Sequence, residues 1–129
     1  MPSGSPPTKS TMRVPAMPAD ANAAGDIFGA WVMAQMDLAA GIRAAERAGG
    51  RVVTKAVREM AFEKPVKVGD TVAIYTEVTG VGRTSITLSV EAWAQRYLTH
   101  EKVRVTCAEF VMVALDSEGR PTRVPEAED

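Results

Sequence analysis

The longest regular pattern in the chain lies between residues 20 and 50, where apolar side chains recur in almost every direction around a helical axis. This stretch is rich in Ala, Met and Leu and ends at Gly49-Gly50, a pair suited to a helix C-cap. It predicts one long helix over roughly 27–48. The apolar positions are Ile27, Phe28, Trp31, Val32, Met33, Met36, Leu38 and Ile42. Because they surround the axis, we expect the first two-thirds of this helix to be buried on all sides, with only its end over 43–47 facing solvent.

The residues after Gly50 carry β-branched side chains and turn residues that are typical of strands. A tight hairpin connection is predicted at Gly80-Val81-Gly82. A weaker signal over 11–18 contains two prolines, which restrict a strand there to a sheet edge. The four stronger strands are predicted over 51–62, 71–79, 84–94 and 102–115, with a shorter segment over 64–70 that contains a proline and a Gly-Asp pair. We expect the four to form an antiparallel meander.

A chain of 129 residues has room for one domain of ordinary size. The stretch over 1–10 is rich in Pro, Ser and Gly and is predicted to be a flexible arm, and 126–129 a frayed tail. The domain over 11–125 is therefore predicted to be α+β, with one curved antiparallel sheet around one helix. Because a single sheet leaves two edges and an outer face uncovered, we expect a dimer or a larger homo-oligomer.

Charge and composition exclude several classes of function. Fifteen Lys and Arg against 16 Asp and Glu leave a net charge of -1, without the basic excess that nucleic-acid binding needs. No apolar run reaches the ~20 residues that span a bilayer, and the first residues lack the apolar stretch of a signal peptide. We therefore expect a cytoplasmic protein that binds neither nucleic acid nor membrane.

The single cysteine, Cys107, and the single histidine, His100, limit the available chemistry. Within one chain they cannot form a disulfide or a Cys/His zinc site. Cys107 lies in an apolar strand pattern, as a small core residue would, and His100 lies in a polar turn pattern. Chemistry is therefore expected to depend on carboxylates, hydroxyls and the backbone.

Two carboxylates, Asp26 and Asp37, occur at the start and in the middle of the predicted helix. They are 11 residues apart, which at ~100° per residue places both on one helix face but ~16 Å apart along the axis. One helix therefore cannot bring both to one substrate atom. Two antiparallel copies beside a two-fold axis would place Asp26 of one chain near Asp37 of the other.

Each carboxylate also has a structural interpretation. Asp26 could serve as the N-cap of the helix. Asp37, a poor helix former whose buried charge would need a partner, could pair with an arginine or with Gln35. The helix start at Gly25-Asp26-Ile27-Phe28-Gly29 also offers unpaired backbone N–H groups, which can polarise a carbonyl oxygen.

Several separate motifs occur in an order that resembles the YciA-like acyl-CoA thioesterases of the hotdog superfamily. The main one runs Ala21-Asn-Ala-Ala-Gly-Asp-Ile-Phe-Gly29 and continues to Gln35-Met-Asp37. The others include Lys64-Pro-Val-Lys-Val-Gly-Asp70 and Gly82-Arg-Thr-Ser85, so that the resemblance covers roughly 12–125.

The resemblance implies a hotdog fold, in which a curved sheet wraps a central helix and two protomers join edge to edge, and dimers often assemble into hexamers. It also implies an enzyme that hydrolyses acyl-CoA, as in fatty acid metabolism, without a metal or an added cofactor. By the same resemblance Asp37 is the general base or nucleophile, and Asp26 comes from the partner subunit. The backbone amides near Phe28 and Gly29 would face the thioester oxygen, and Arg83, Thr84 and Ser85 would contact CoA.

Departures from the family pattern occur at Ala24, Ala30 and Ala39-Ala40, and they leave the preferred acyl group open. Two other functions remain as alternatives. A hotdog hydratase would need a histidine beside the acid, and His100 is far from the helix in sequence. A non-catalytic acyl-CoA-binding module would keep the fold without turnover, and the presence of both Asp26 and Asp37 argues against it.

Overall fold

The computed structural model describes residues 6, 7 and 9–127. The predicted arm over 1–10 and the predicted tail over 126–129 fall partly outside these residues, so both remain predictions. The elements along the chain are strand β1 (Met12–Pro15), a short 3-10 helix (Pro18–Asp20), helix α1 (Gly29–Ala48) and strands β2 (Val52–Phe62), β3 (Thr71–Val81), β4 (Ser85–Gln95) and β5 (Lys102–Ala114).

The five strands form one antiparallel sheet in the order β1-β3-β4-β5-β2. The predicted meander is correct for β3, β4 and β5, and β1 lies at one edge, as expected for a strand that contains Pro15. The prediction was wrong for β2, which pairs with β5 at the opposite edge. β2 and β3 are not neighbours, because the connection over 63–70 leads from β2 at the edge of the sheet past β5 and β4 to β3. Its Val66 is buried, and the carbonyl of Val66 accepts a hydrogen bond from Ile27 N–H at 2.9 Å.

Helix α1 packs against the sheet and supplies one side of the core. Its inward residues are Val32, Met36, Ala39, Ala40 and Ala44, all buried. They pack with buried side chains of the central strands, among them Ile74, Leu88 and Phe110. The helix ends as predicted, because Gly49 adopts a left-handed conformation (φ 71°) and donates to the carbonyl of Ala45 at 2.8 Å.

The opposite face of α1 is not covered in the protomer. Met33 is 40% exposed, Leu38 57% and Ile42 49%, so the expectation of burial on all sides was wrong for a single chain. A single sheet covers only one side of a helix, and the apolar residues on the other side remain without a partner inside the protomer.

No helix among residues 6, 7 and 9–127 is long and apolar enough to cross a membrane. The cytoplasmic location stays a prediction.

Candidate functional site

Asp37 lies in the middle of α1 on the uncovered face and is exposed. Its carboxylate accepts a short hydrogen bond from the hydroxyl of Thr54, which belongs to β2. The sequence-based alternatives, an arginine or Gln35 as the partner of Asp37, are therefore not what the structure shows. Thr54 was missed from the sequence because it lies 17 residues away on another element.

The surface around Asp37 combines small and apolar groups. Ala30 and Ala34 precede it by seven and three residues, so that both lie on its side of the helix, and both are exposed. Beyond them are the exposed Leu38 of the helix and, on β2, Val53 at 47% exposure. This surface has room for another backbone to approach, and it places a carboxylate within an apolar region.

Asp26 lies outside the helix, which begins three residues later. Its carboxylate pairs with the ammonium of Lys67, and the two residues also form an isolated β-bridge. The N-cap of α1 is Phe28, which makes no side-chain capping bond, so the predicted N-cap role of Asp26 was wrong. The argument that Asp26 and Asp37 share one helix face also fails, because Asp26 is not helical.

Asn22 explains why the helix starts late. Its side-chain oxygen accepts from the N–H groups of Ala24 at 2.9 Å and Asp26 at 3.1 Å. Gly25 completes the turn with φ at 83°, a conformation that glycine adopts without strain. This turn, followed by the Ile27 bond to the 63–70 connection, keeps the chain extended up to Phe28. Asn22 was not singled out in the sequence, although an Asn three residues before a Gly is a recognisable turn signal.

The first amides of α1 are only partly free. The N–H of Phe28 donates to the carbonyl of Asp20 at 3.2 Å, so it is already used. Among the described residues the N–H groups of Gly29 and Ala30 have no hydrogen-bond partner. The predicted carbonyl-polarising position is therefore shifted by one residue, from the pair Phe28 and Gly29 to Gly29 and Ala30.

These amides and Asp37 cannot serve one carbonyl within a single protomer. From Gly29 to Asp37 is eight residues, or ~12 Å along the helix axis. A site that needs both a carboxylate and amide donors is therefore incomplete in one chain.

Arg83 and Thr84 form the β3–β4 turn, and Ser85 begins β4. Arg83 shares a shallow cavity of about 620 Å³ with Arg47, at the end of α1, and Arg123. The segment that carries Arg123 is fixed, because Val124 is buried and its N–H donates to the carbonyl of Arg83 at 2.8 Å. Arg47 donates to the carbonyl of Pro125 at 2.6 Å. None of the three arginines pairs with a carboxylate among the described residues.

The remaining chemical groups are placed away from Asp37. His100 lies in the exposed turn between β4 and β5, where its ring is 3.4 Å from the amide of Gln95. Cys107 is a half-buried residue of β5. Residues 6, 7 and 9–127 contain no group of three His, Cys, Asp or Glu that could hold a metal ion. The expectation that no cofactor is needed stays a prediction.

Comparison with known proteins identifies the family. A family model described as the thioesterase superfamily matches residues 24–98, more than half of the chain. The chain belongs to the thioesterase superfamily. The hotdog fold and the thioesterase family expected from the sequence motifs are both confirmed.

This thioesterase is similar over most of its length to an acyl-CoA thioester hydrolase and to hexameric thioesterases of known structure. It is 44% identical over 117 residues to the acyl-CoA thioester hydrolase YciA of Escherichia coli K12, covering 88% of this chain and 89% of YciA. A hexameric thioesterase from Yersinia pestis superposes with a TM-score of 0.89 at 45% identity, covering 95% of this chain and 99% of that one. A hexameric broad-specificity acyl-coenzyme A thioesterase superposes at 0.87 with 44% identity, over 97% and 88% of the two chains.

Proposed function

We propose that this thioesterase hydrolyses acyl-CoA esters to CoA and the free carboxylic acid, at sites shared between two copies of the chain. The observation that carries the shared site is the ~12 Å along the helix axis that separates Gly29, the first residue with a free amide, from Asp37. The similarity to acyl-CoA hydrolases over almost the whole chain supports the substrate class.

The dimer forms along the uncovered face of α1 and the free edge of β2. This edge is 11 residues long and carries the exposed Val53, and the uncovered helix residues Met33, Leu38 and Ile42 are exposed as well. An edge strand beside apolar side chains favours pairing with a second copy, and a two-fold axis makes the two contributions equal. Antiparallel helices then bring Asp26 and the amides of one chain toward Asp37 of its neighbour.

The reaction follows from these groups. The N–H groups of Gly29 and Ala30 donate to the thioester oxygen and stabilise the negative charge that develops on it. Asp37 acts as general base and removes a proton from water as the water oxygen attacks the carbonyl carbon, or acts as the nucleophile itself and forms a mixed anhydride with the acyl group. The C–S bond breaks, and the CoA thiolate leaves and takes up a proton. In the nucleophilic route a water molecule then hydrolyses the anhydride, which releases the acid and regenerates the Asp37 carboxylate. Thr54 holds the Asp37 carboxylate in place, and Asp26 of the partner subunit, with Lys67, orients the water or the ester.

The three arginines of the shallow cavity near the end of α1, Arg47, Arg83 and Arg123, bind the phosphates of CoA. Arg47 lies ten residues after Asp37, or ~15 Å along the helix, and guanidinium groups suit phosphate oxygens. Thr84 and Ser85 add hydroxyls at the same turn. Arg83→Ala should raise the KM for acyl-CoA about fivefold and leave kcat nearly unchanged. An unchanged KM would reject this role.

Several solved structures that resemble this chain are hexameric thioesterases. We propose the same trimer of dimers here, with the dimer as the unit that completes a site.

Subunit mixing tests the shared site. Neither the Asp26→Ala protein nor the Asp37→Asn protein should release thiol from acyl-CoA at an appreciable rate. When the two are unfolded together and refolded, half of the dimers contain one chain of each kind, and one of their two sites has both aspartates. Thiol release should therefore recover to about a quarter of the wild-type rate. Mixing each variant with itself is the control, and no recovery after proven exchange would contradict a site built from two chains.

A further inference from the structure

A cavity of about 310 Å³ opens beside the first turn of α1. It is formed by the helix start, the end of β2, the 63–70 connection and β5. Its apolar walls are Ile27, Val32, Phe62, Pro65, Val66 and Val105. Four of these six, Ile27, Val32, Val66 and Val105, are buried in the core, so the walls are fixed by the fold.

Two charged residues, Glu63 and Lys64, contribute to the lining, and both are exposed. Glu63 accepts from the guanidinium of Arg104 at 2.9 Å, and this hydrogen bond raises the pKa of Arg104. The four buried wall residues carry only hydrocarbon side chains, so the interior offers hydrocarbon rather than polar partners. A ligand portion that enters should itself be apolar, since a buried amide without a hydrogen-bond partner is costly.

Phe62 is the exception among the walls, because it is 48% exposed. Its ring lies directly against Gly29, where a Cβ built on the glycine would be 3.3 Å from the ring carbon Cζ. The ring thus contacts the first residue of the helix and is at the same time part of the cavity wall. It is held by a contact that only glycine permits without displacement of the ring.

We propose that this cavity binds the acyl chain of the thioester and that Phe62 limits the length and branching of the chain it accepts. The inference rests on the proposed function, since a thioester oxygen bound at Gly29 and Ala30 places the acyl carbons next to the cavity mouth. With the Phe62 ring in its present position, the cavity accepts straight acyl chains of short to medium length. The pantetheine arm, which carries two amides, fits the apolar walls poorly.

The test is thiol release from straight-chain esters from acetyl-CoA to palmitoyl-CoA and from one branched ester. In the wild type kcat/KM should rise about fourfold for each methylene that enters the cavity and then fall. Phe62→Ala should move the maximum to longer chains, raising kcat/KM for long and branched esters about tenfold relative to acetyl-CoA. Leu98→Ala, which removes a side chain that is 82% exposed in the β4–β5 turn, is the matched control.

Gly29→Ala provides a second readout. Its methyl group should push the Phe62 ring into the cavity and shift the maximum to shorter chains, and Phe62→Ala in the same chain should remove that shift. A chain-length profile of Phe62→Ala parallel to that of the wild type would overturn the proposal. A second result would also overturn it. If Phe62→Ala changed the KM of every ester by the same factor, and the inhibition constant of free CoA by that factor too, the cavity would hold the pantetheine arm rather than the acyl chain. Loss of all thiol release by the wild type would instead overturn the proposed function.

Discussion

Asp37 and Asp70 are two carboxylates of one fold in opposite surroundings. Asp70 is 2% exposed, and its carboxylate accepts from the guanidinium of Arg96 and from the backbone N–H of Lys67 at 2.8 Å. Arg96 in turn donates to the carbonyl of Pro65 at 3.1 Å. Asp37 is exposed, and the hydroxyl of Thr54 is its one hydrogen-bond partner in the described chain.

The difference separates a carboxylate that holds the fold from one that is available for chemistry. Burial makes an unpaired charge costly, so a buried carboxylate is retained where a cation and N–H donors compensate it. Asp70 uses its Oδ2 in this way to fix the 63–70 connection, which carries Lys67 to Asp26 and forms one wall of the acyl cavity. Asp37 retains free lone pairs on an apolar surface, where a second copy would exclude water from around it.

Of the three changes that follow, replacing Asp37 by asparagine should have the largest effect, because it should abolish activity without weakening the fold. The change keeps the size of the side chain and removes the base, so thiol release should fall about a thousandfold. Because the carboxylate is exposed, the free energy of unfolding should change by less than about 0.5 kcal/mol. Thiol release and urea unfolding at one fixed protein concentration measure both. Near-normal turnover would reject Asp37 as the catalytic group.

Replacing Asp70 by asparagine should produce the converse result. The half-buried Arg96 would lose its counter-charge, which should lower the free energy of unfolding by roughly 2–4 kcal/mol. Turnover per folded site should change much less. Arg96→Met added to the Asp70 variant should recover part of the loss, since it removes the uncompensated charge. Equal stability of the single and double variants would show that the pair does not hold the connection.

Replacing Thr54 by valine should have the smallest effect of the three. Valine keeps the shape and removes the hydroxyl that positions Asp37, so kcat should fall about tenfold with little change in KM. Thr54→Ser, which restores the hydroxyl, is the matched variant and should recover most of the rate. Equal rates for the valine and serine variants would show that the hydroxyl does not act on Asp37.

The sequence predicted those parts of the fold that depend on near neighbours in the chain. The helix and its glycine end were visible as a pattern, and β3, β4 and β5 follow one another through short turns. The position of β2 was not visible, because it depends on pairing with β5 some 50 residues later. The late helix start likewise depends on the long-range bond between Ile27 and Val66.

The same limit applies to the site. Asp37 could be singled out because a carboxylate in an apolar helix is unusual, and the family motifs agreed. The sequence around three other site residues does not indicate a functional role, because each reaches the site only through the element packed beside it. These residues are Thr54, Arg47 and Arg123. Phe62 looked like an ordinary strand residue, and only its contact with Gly29 sets it apart.

Strand β2 is irregular along its pairing with β5, with register shifts between Thr54 and Ala56 and between Arg58 and Ala61. Such shifts kink the strand and therefore also its free edge. Glu59 adopts a left-handed conformation (φ 57°) within the second shift, and the hydroxyl of Thr106 donates to the carbonyl of Ala61 at 2.6 Å. A flat apolar edge would accept strand after strand and grow into fibres. A kinked edge is complementary to the same edge of a second copy that is related to it by a two-fold axis. In the proposed dimer, the strand through which two protomers complete a site would thus also limit further assembly along this edge.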